Sequence, residues 1–305
     1  MDKIYHEYCL PPIYKSEIKS DSLNIYQKKK QGETFWSLDV TEDVTDLEEY
    51  FKKFYNLYVL GNTNVFVDGP AACGKSTLVN DLNPLKINQF YNINEGNGYN
   101  ICPEYALAYI VLNEDFSKYE NICTDRSIVS NLAYLIAYYC MNLINNNAVY
   151  NKSIHFICEE YVLVSNLKPV LEYIRSLKLE VIIFVDSSFE YSAKRMNARG
   201  VALESNSNIV KSLCKEYHTA QLAAFSYLAN YMNYPCIDFN YIRLHYKVDD
   251  DSDLFRMNSK YFQSVISESL EMGNLQVLDI TTEITTIHPE VMKELHNNAI
   301  KISTR

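Results

Sequence analysis

At 305 residues with 48% apolar side chains, the chain is long enough for one large α/β domain or two small ones around a sizeable core. Its formal charge of -10 and pI near 5.2 argue against a surface that neutralises the many phosphates of a nucleic acid or a membrane leaflet. Neither partner is expected, and any anion must be held by a local site. Eight cysteines with no CxxC pair and no Cys/His cluster disfavour both zinc and a disulfide framework, so reduced thiols in the cytoplasm or nucleus are expected.

The opening residues, MDKIYHEYCLPP, lack the basic start and apolar run of a secretory signal. The longest uncharged apolar stretch, residues 132–144, falls short of the ~20 residues a bilayer span needs. Residues 1–43 are mixed polar and aromatic and read as an arm or irregular cap; DLEEYFKKFYNLYVL over 46–60 has helical spacing. Residues 64–68 (NVFVD) predict a strand ended by Gly-Pro, and 74–82 a helix. A second strand is expected over 86–93, closed by the turn-forming run Asn94-Glu95-Gly96-Asn97-Gly98. Pro103 suits the first turn of a helix through Ala106, Ile110 and Leu112, and 120–124 predicts a third strand.

The mostly apolar run 128–144 predicts a buried helix, 166–177 another helix, and EVIIFV over 180–185 the clearest buried parallel strand. Ser187 with Glu190 forms a capping box for the next helix. One long helix is expected over 208–232, then a fifth strand over 235–239 (PCIDF). The tail carries the acidic run 249–251, one possible strand at 276–280 and a terminal helix near 289–299. Strands alternating with helices give an α/β fold with a five-stranded parallel sheet covered on both faces.

Gly69-Pro70-Ala71-Ala72-Cys73-Gly74-Lys75-Ser76 satisfies GxxxxGK[ST] between a predicted strand and helix, the context that motif requires. Successive backbone N–H groups there can cradle phosphates, Gly69 and Gly74 permit close approach, and Lys75 reaches the outer phosphates. The Ser76 hydroxyl can ligate magnesium, so ATP with Mg2+ is the expected ligand. A chance glycine turn is the bland alternative.

Asp125-Arg126-Ser127 falls at the carboxyl end of the third strand, where an open α/β sheet collects its ligands. Asp125 could hold magnesium through water and Arg126 could orient a transferred phosphoryl group. Read alone, the tripeptide is better taken as a strand-end salt bridge or helix cap. Lys194-Arg195-Met196-Asn197-Ala198-Arg199-Gly200 closes a helix, with Glu204 behind it. It reads as an arginine flap over a triphosphate, or as ordinary basic partners of a helix dipole. Glu95, in its glycine-bearing loop, could accept a substrate hydroxyl proton, or be a solvated loop glutamate.

Together these segments resemble the deoxynucleoside kinases, herpesvirus-type thymidine kinases most closely, within the wider group of phosphate-loop nucleotide kinases. Asp68-Gly69-Pro70 through Lys75-Ser76-Thr77 matches that family's DGPxGxGKTT-like loop, Asp125-Arg126 before SIVSNLAYLIAYY its Asp-Arg and apolar helix, and SAKRMNARG its arginine lid. The resemblance covers 62–240, leaving 1–61 as an N-terminal extension and 241–305 as a C-terminal extension packed on the domain. It implies that Glu95 is the base, that Arg126 bridges base and phosphate, and that Arg195 and Arg199 close over the triphosphate. Thr77 would join the loop, and Glu204 would touch the sugar of a nucleoside, thymidine first. Tyr99, Tyr105, Asn113 and Tyr134 could supply stacking and hydrogen bonds to the substrate, though aromatic residues in such segments are often core. A viral protein of DNA synthesis, paired as a homodimer through helices such as 128–144, fits the same resemblance.

Two other functions stay open. A thymidylate kinase would share the loop, the Asp-Arg pair and the lid. A viral assembly protein that kept the kinase fold without turnover is the other: only 30 residues separate Glu95 from Asp125, and 100–124 contains no glutamine to read a base.

Overall fold

The structure is a computed structural model that describes residues 44, 46–61, 64–80, 122–125, 127–145, 154–204 and 206–272. Helix α1 (Leu47–Tyr58) starts where the Asp46 carboxylate accepts the N–H groups of Glu48 and Glu49 at 2.8 and 3.0 Å. Glu48 and Glu49 favour the positive end of the helix dipole. Their pairs with Lys52 and Lys53 are exposed to solvent and screened, so they add little to stability. What holds the helix is its buried face of Tyr50, Phe51, Phe54 and Tyr55.

Strand β1 (Asn64–Asp68) lies at the middle of a four-stranded sheet in the order β2-β1-β3-β4, with β2 (Ile122–Asp125), β3 (Val181–Val185) and β4 (Cys236–Asp238). Every described pairing is parallel: Val67 faces Asp125 across β2 and Ile182 across β3, and Val185 faces Asp238. Side chains alternate between the two faces of the sheet. Val65, Val67, Ile182, Phe184 and Ile237 enter one core with α1 and with α10 (Asp251–Glu271). Phe66, Val181, Ile183, Val185 and Cys236 enter the other, built on α3 (Ile128–Asn145), α4 (Ile154–Val164), α5 (Lys168–Ser176) and α8 (Lys215–Met232). The fold is therefore α/β, a small parallel sheet among many helices. The expected second strand, 86–93, which would make the sheet five-stranded, lies outside the described residues, as do the strand at 276–280 and the helix at 289–299.

Several expectations are corrected. The capping box is displaced by one residue: Ser188, in extended backbone, caps α6 (Phe189–Ala202) by accepting the Tyr191 N–H. Ser187 instead donates its N–H to Asp238 at 2.9 Å. The single helix over 208–232 is two, α7 (Asn206–Ser212) and α8, because the chain turns extended at Cys214, which is buried while neighbouring Leu213 points outward. Helix α4 was not anticipated, nor were α9 (Phe239–Tyr246) and α10, which make up the described part of the tail. Helix α9 crosses residue 240, the expected domain boundary. The apolar helix 128–144 is confirmed as α3, but it packs on α8 and α4 of its own chain. Among the described residues, no helix is long and apolar enough to cross a membrane.

Candidate phosphate-binding site

The sheet switches direction at β1. Helix α2 (Lys75–Asn80) leaves β1 toward one core, through Leu78 and Val79, while the helices after β3 reach α8 in the other. The carboxyl ends of β1 and β3 thus open a crevice, the place where open α/β sheets bind ligands. Residues 69–76 lie in it.

The loop is shaped by three positive φ angles, at Gly69 (142°), Ala72 (61°) and Gly74 (73°). Gly69 is pressed against β3 so closely that a Cβ there would sit 1.9 Å from the Phe184 carbonyl oxygen. A Cβ on Gly74 would meet the Phe255 ring of α10 at 2.5 Å. Lys75 is buried, and its ammonium donates to the carbonyl oxygens of Gly69 at 2.8 Å and Pro70 at 2.6 Å. The lysine thereby ties the end of the turn to its beginning and sets a positive charge inside it. Burial pushes the Cys73 thiol up to about 11, so this cysteine is a packing residue and not a nucleophile. Ser76 and Thr77 are exposed at the start of α2.

Each described strand ends in an aspartate or meets one at the next residue, and three of these have defined work. Asp68 is fully buried and takes hydrogen bonds from the N–H groups of Gly69, Ser127 and Ser130 and from both serine hydroxyls. One carboxylate thus fixes the root of the 69–76 loop to the first turn of α3. Ser127, at the end of the Asp-Arg-Ser segment, is the partner that makes this joint.

Asp186, just past β3, pairs with Arg195 at 2.6 Å and Arg243 at 2.5 Å. Asp251, at the start of α10, pairs with the same two guanidinium groups at 2.5 and 2.6 Å. Arg195 also donates its Nε–H to the carbonyl oxygen of Ala72 in the loop at 2.8 Å and lies over the Phe255 ring. Asp238 accepts the N–H groups of Ser187 and Asn240, and burial, with Asp186 nearby, raises its pKa to about 6.

Comparison of the chain with protein-family models, with curated proteins and with solved structures finds no match. The site rests on its own geometry.

Of the sequence candidates, Gly69, Pro70, Ala71, Ala72, Cys73 and Gly74 form one turn that runs into α2 at Lys75, Ser76 and Thr77, and Arg195 touches it at Ala72. Asp125 ends β2, its Cα level with Val67. Arg199 lies in the last turn of α6, and Glu204 is exposed just after that helix with φ 51°. Tyr134 is buried in the core of α3 against Phe225, edge to face. Glu95, Tyr99, Tyr105, Asn113 and Arg126 lie outside the described residues. The sequence reading missed Asp186, Arg243, Asp251 and Phe255. Asp186 had a signal, since a carboxylate directly after a buried apolar strand must find a cation or a cap.

Proposed function

We propose that the chain binds ATP with magnesium on residues 69–76 and transfers the terminal phosphoryl group to the 5′ hydroxyl of a deoxynucleoside, thymidine first among them. The observation that carries this is the loop itself: three left-handed residues at the sheet switch point, wrapped around a buried lysine ammonium. A side chain at Gly69 or Gly74 would collide with β3 or with the Phe255 ring, so the turn can close in this shape only with glycine at both positions. Such a turn suits a polyphosphate because its backbone can approach closely and one fixed charge offsets several negative oxygens.

A five-stranded phosphate-loop kinase fold, with a further strand at 86–93, belongs to the same proposal. Ser76 would hold magnesium with Asp125, and the ion would neutralise charge on the bridging phosphates. Glu95 would accept the hydroxyl proton, and Arg126 and Arg199 would steady the transferred group. Arg195 already joins the loop through Ala72 and would turn toward phosphate in exchange for Asp251. Thymidylate kinase remains the neighbouring reading, separated by substrate.

The reading from another class is a kinase-fold assembly protein without turnover. It is favoured by the same Arg195, whose guanidinium is held by Asp186 and Asp251 while Phe255 closes on Gly74. Transfer of labelled phosphate from ATP to thymidine or dTMP decides among the three. A thymidine kinase labels thymidine, and Lys75→Ala loses at least about 100-fold in rate. Labelling of dTMP alone selects the neighbour, and equal background in both proteins ends the enzyme proposal.

A further inference from the structure

Arg195 is held by three partners at once. Its Nε–H donates to the carbonyl oxygen of Ala72 in the 69–76 loop at 2.8 Å, one terminal nitrogen to Asp186 at 2.6 Å and the other to Asp251 at 2.5 Å. The two carboxylates differ in how easily they give up the cation. Asp186 is 0% exposed, and breaking a buried pair costs much. Asp251 and Arg195 are 17% and 18% exposed, and of the four pairs in the cluster theirs is the one in which both side chains reach water. Parted there, Asp251 keeps Arg243 and Arg195 keeps Asp186, so no charge is left alone.

The exchangeable nitrogen of Arg195 is thus tethered to the loop by its neighbour on the same guanidinium. A planar guanidinium fork fits carboxylate and phosphate oxygens alike. Asp251 belongs to α10, which meets the loop a second time through Phe255, one turn on. That ring abuts Gly74, and its centre lies 4.9 Å from the Arg195 guanidinium carbon. Leu254, Phe262 and Ile266 anchor α10 in the core with α1, so the helix presents its carboxylate at a fixed place.

We propose that α10 restrains nucleotide binding: Asp251 competes with the polyphosphate for the Arg195 guanidinium, and a triphosphate seats on residues 69–76 as the Arg195–Asp251 pair opens. This rests on the triphosphate reading of that loop and adds to it a built-in brake on affinity. A protein that keeps Arg195 on Asp251 for part of its population binds more weakly by the fraction so held.

The test is a calorimetric titration of the full chain with magnesium and adenylyl imidodiphosphate, comparing the wild type with Asp251→Asn and Asp253→Asn. Asp253 is 57% exposed and pairs with Arg256, so its variant removes the same charge from the same turn of α10 without touching Arg195. Asp251→Asn is expected to bind at least about 5-fold more tightly than the wild type, and Asp253→Asn within about 2-fold of it. Asp251→Ser repeats the measurement should the asparagine variant fold poorly. Binding by the Asp251 variant beside no measurable binding by the wild type supports the same brake. Equal or weaker affinity in the Asp251 variant, or the same gain in Asp253→Asn, overturns the brake and leaves triphosphate binding standing. No binding by any of the proteins overturns both.

Discussion

Arg195 and Asp251 meet at 2.5 Å, joining the helix that follows β3 to the long helix after β4 and bringing both to the 69–76 loop. With Asp186 and Arg243 they form a closed square of two carboxylates and two guanidinium groups. The corners differ in burial: the Asp186 side chain is 0% exposed and that of Asp251 17%. Asp186→Asn leaves the buried Arg243 and the partly buried Arg195 sharing one carboxylate and is expected to cost about 3–5 kcal/mol. Asp251→Asn, which water can partly compensate, should cost about 1 kcal/mol. Urea unfolding of both variants measures the difference, and equal losses would remove the burial argument.

The two loop glycines should respond differently to alanine. At Gly69 the new Cβ meets the backbone of β3, which cannot move without breaking the sheet. Gly69→Ala is expected to lose more than about 4 kcal/mol or to fail to fold. At Gly74 the obstacle is the Phe255 ring, the end of a side chain that can swing away. Its remaining cost is the left-handed backbone, about 1–2 kcal/mol. Phe255→Leu added to Gly74→Ala should therefore recover part of the loss in thermal unfolding, whereas no recovery would mean the backbone alone sets the cost.

Stability should fall as pH rises through the window set by Asp238. Its folded pKa, about 6, lies above the ordinary value of 3.8, so the folded state binds the extra proton between those limits. The contribution is fully present below pH ~4 and is lost as pH rises past 6, on the order of 1–3 kcal/mol. Asp238→Asn keeps an oxygen for the Ser187 and Asn240 N–H groups and removes the charge facing Asp186. Its unfolding free energy, followed from pH 4 to 7, should lack this component; a profile matching the wild type refutes the assignment.

Thiol chemistry gives a fourth check. Cys73, Cys140, Cys158, Cys214 and Cys236 are buried and free, so at most three of the eight cysteines should react in the native protein. Cys140 and Cys158 face each other at 3.9 Å as thiols, and their contact, with burial, pushes the Cys158 pKa up. A chromogenic disulfide reagent should count no more than three fast thiols before denaturant and eight after it, and a fourth fast thiol would contradict the core.

The sequence alone determined the local parts. NVFVD, EVIIFV and the helices over 46–60 and 128–144 were legible because buried strands and amphipathic helices carry their own apolar pattern. So was the loop of 69–76, whose glycines and lysine are needed within eight consecutive residues. Tertiary structure alone decided what surrounds that loop. Asp186, Arg243 and Asp251 are scattered over 66 positions and become one ion cluster only when β3, α9 and α10 converge, since pairing depends on distance in space.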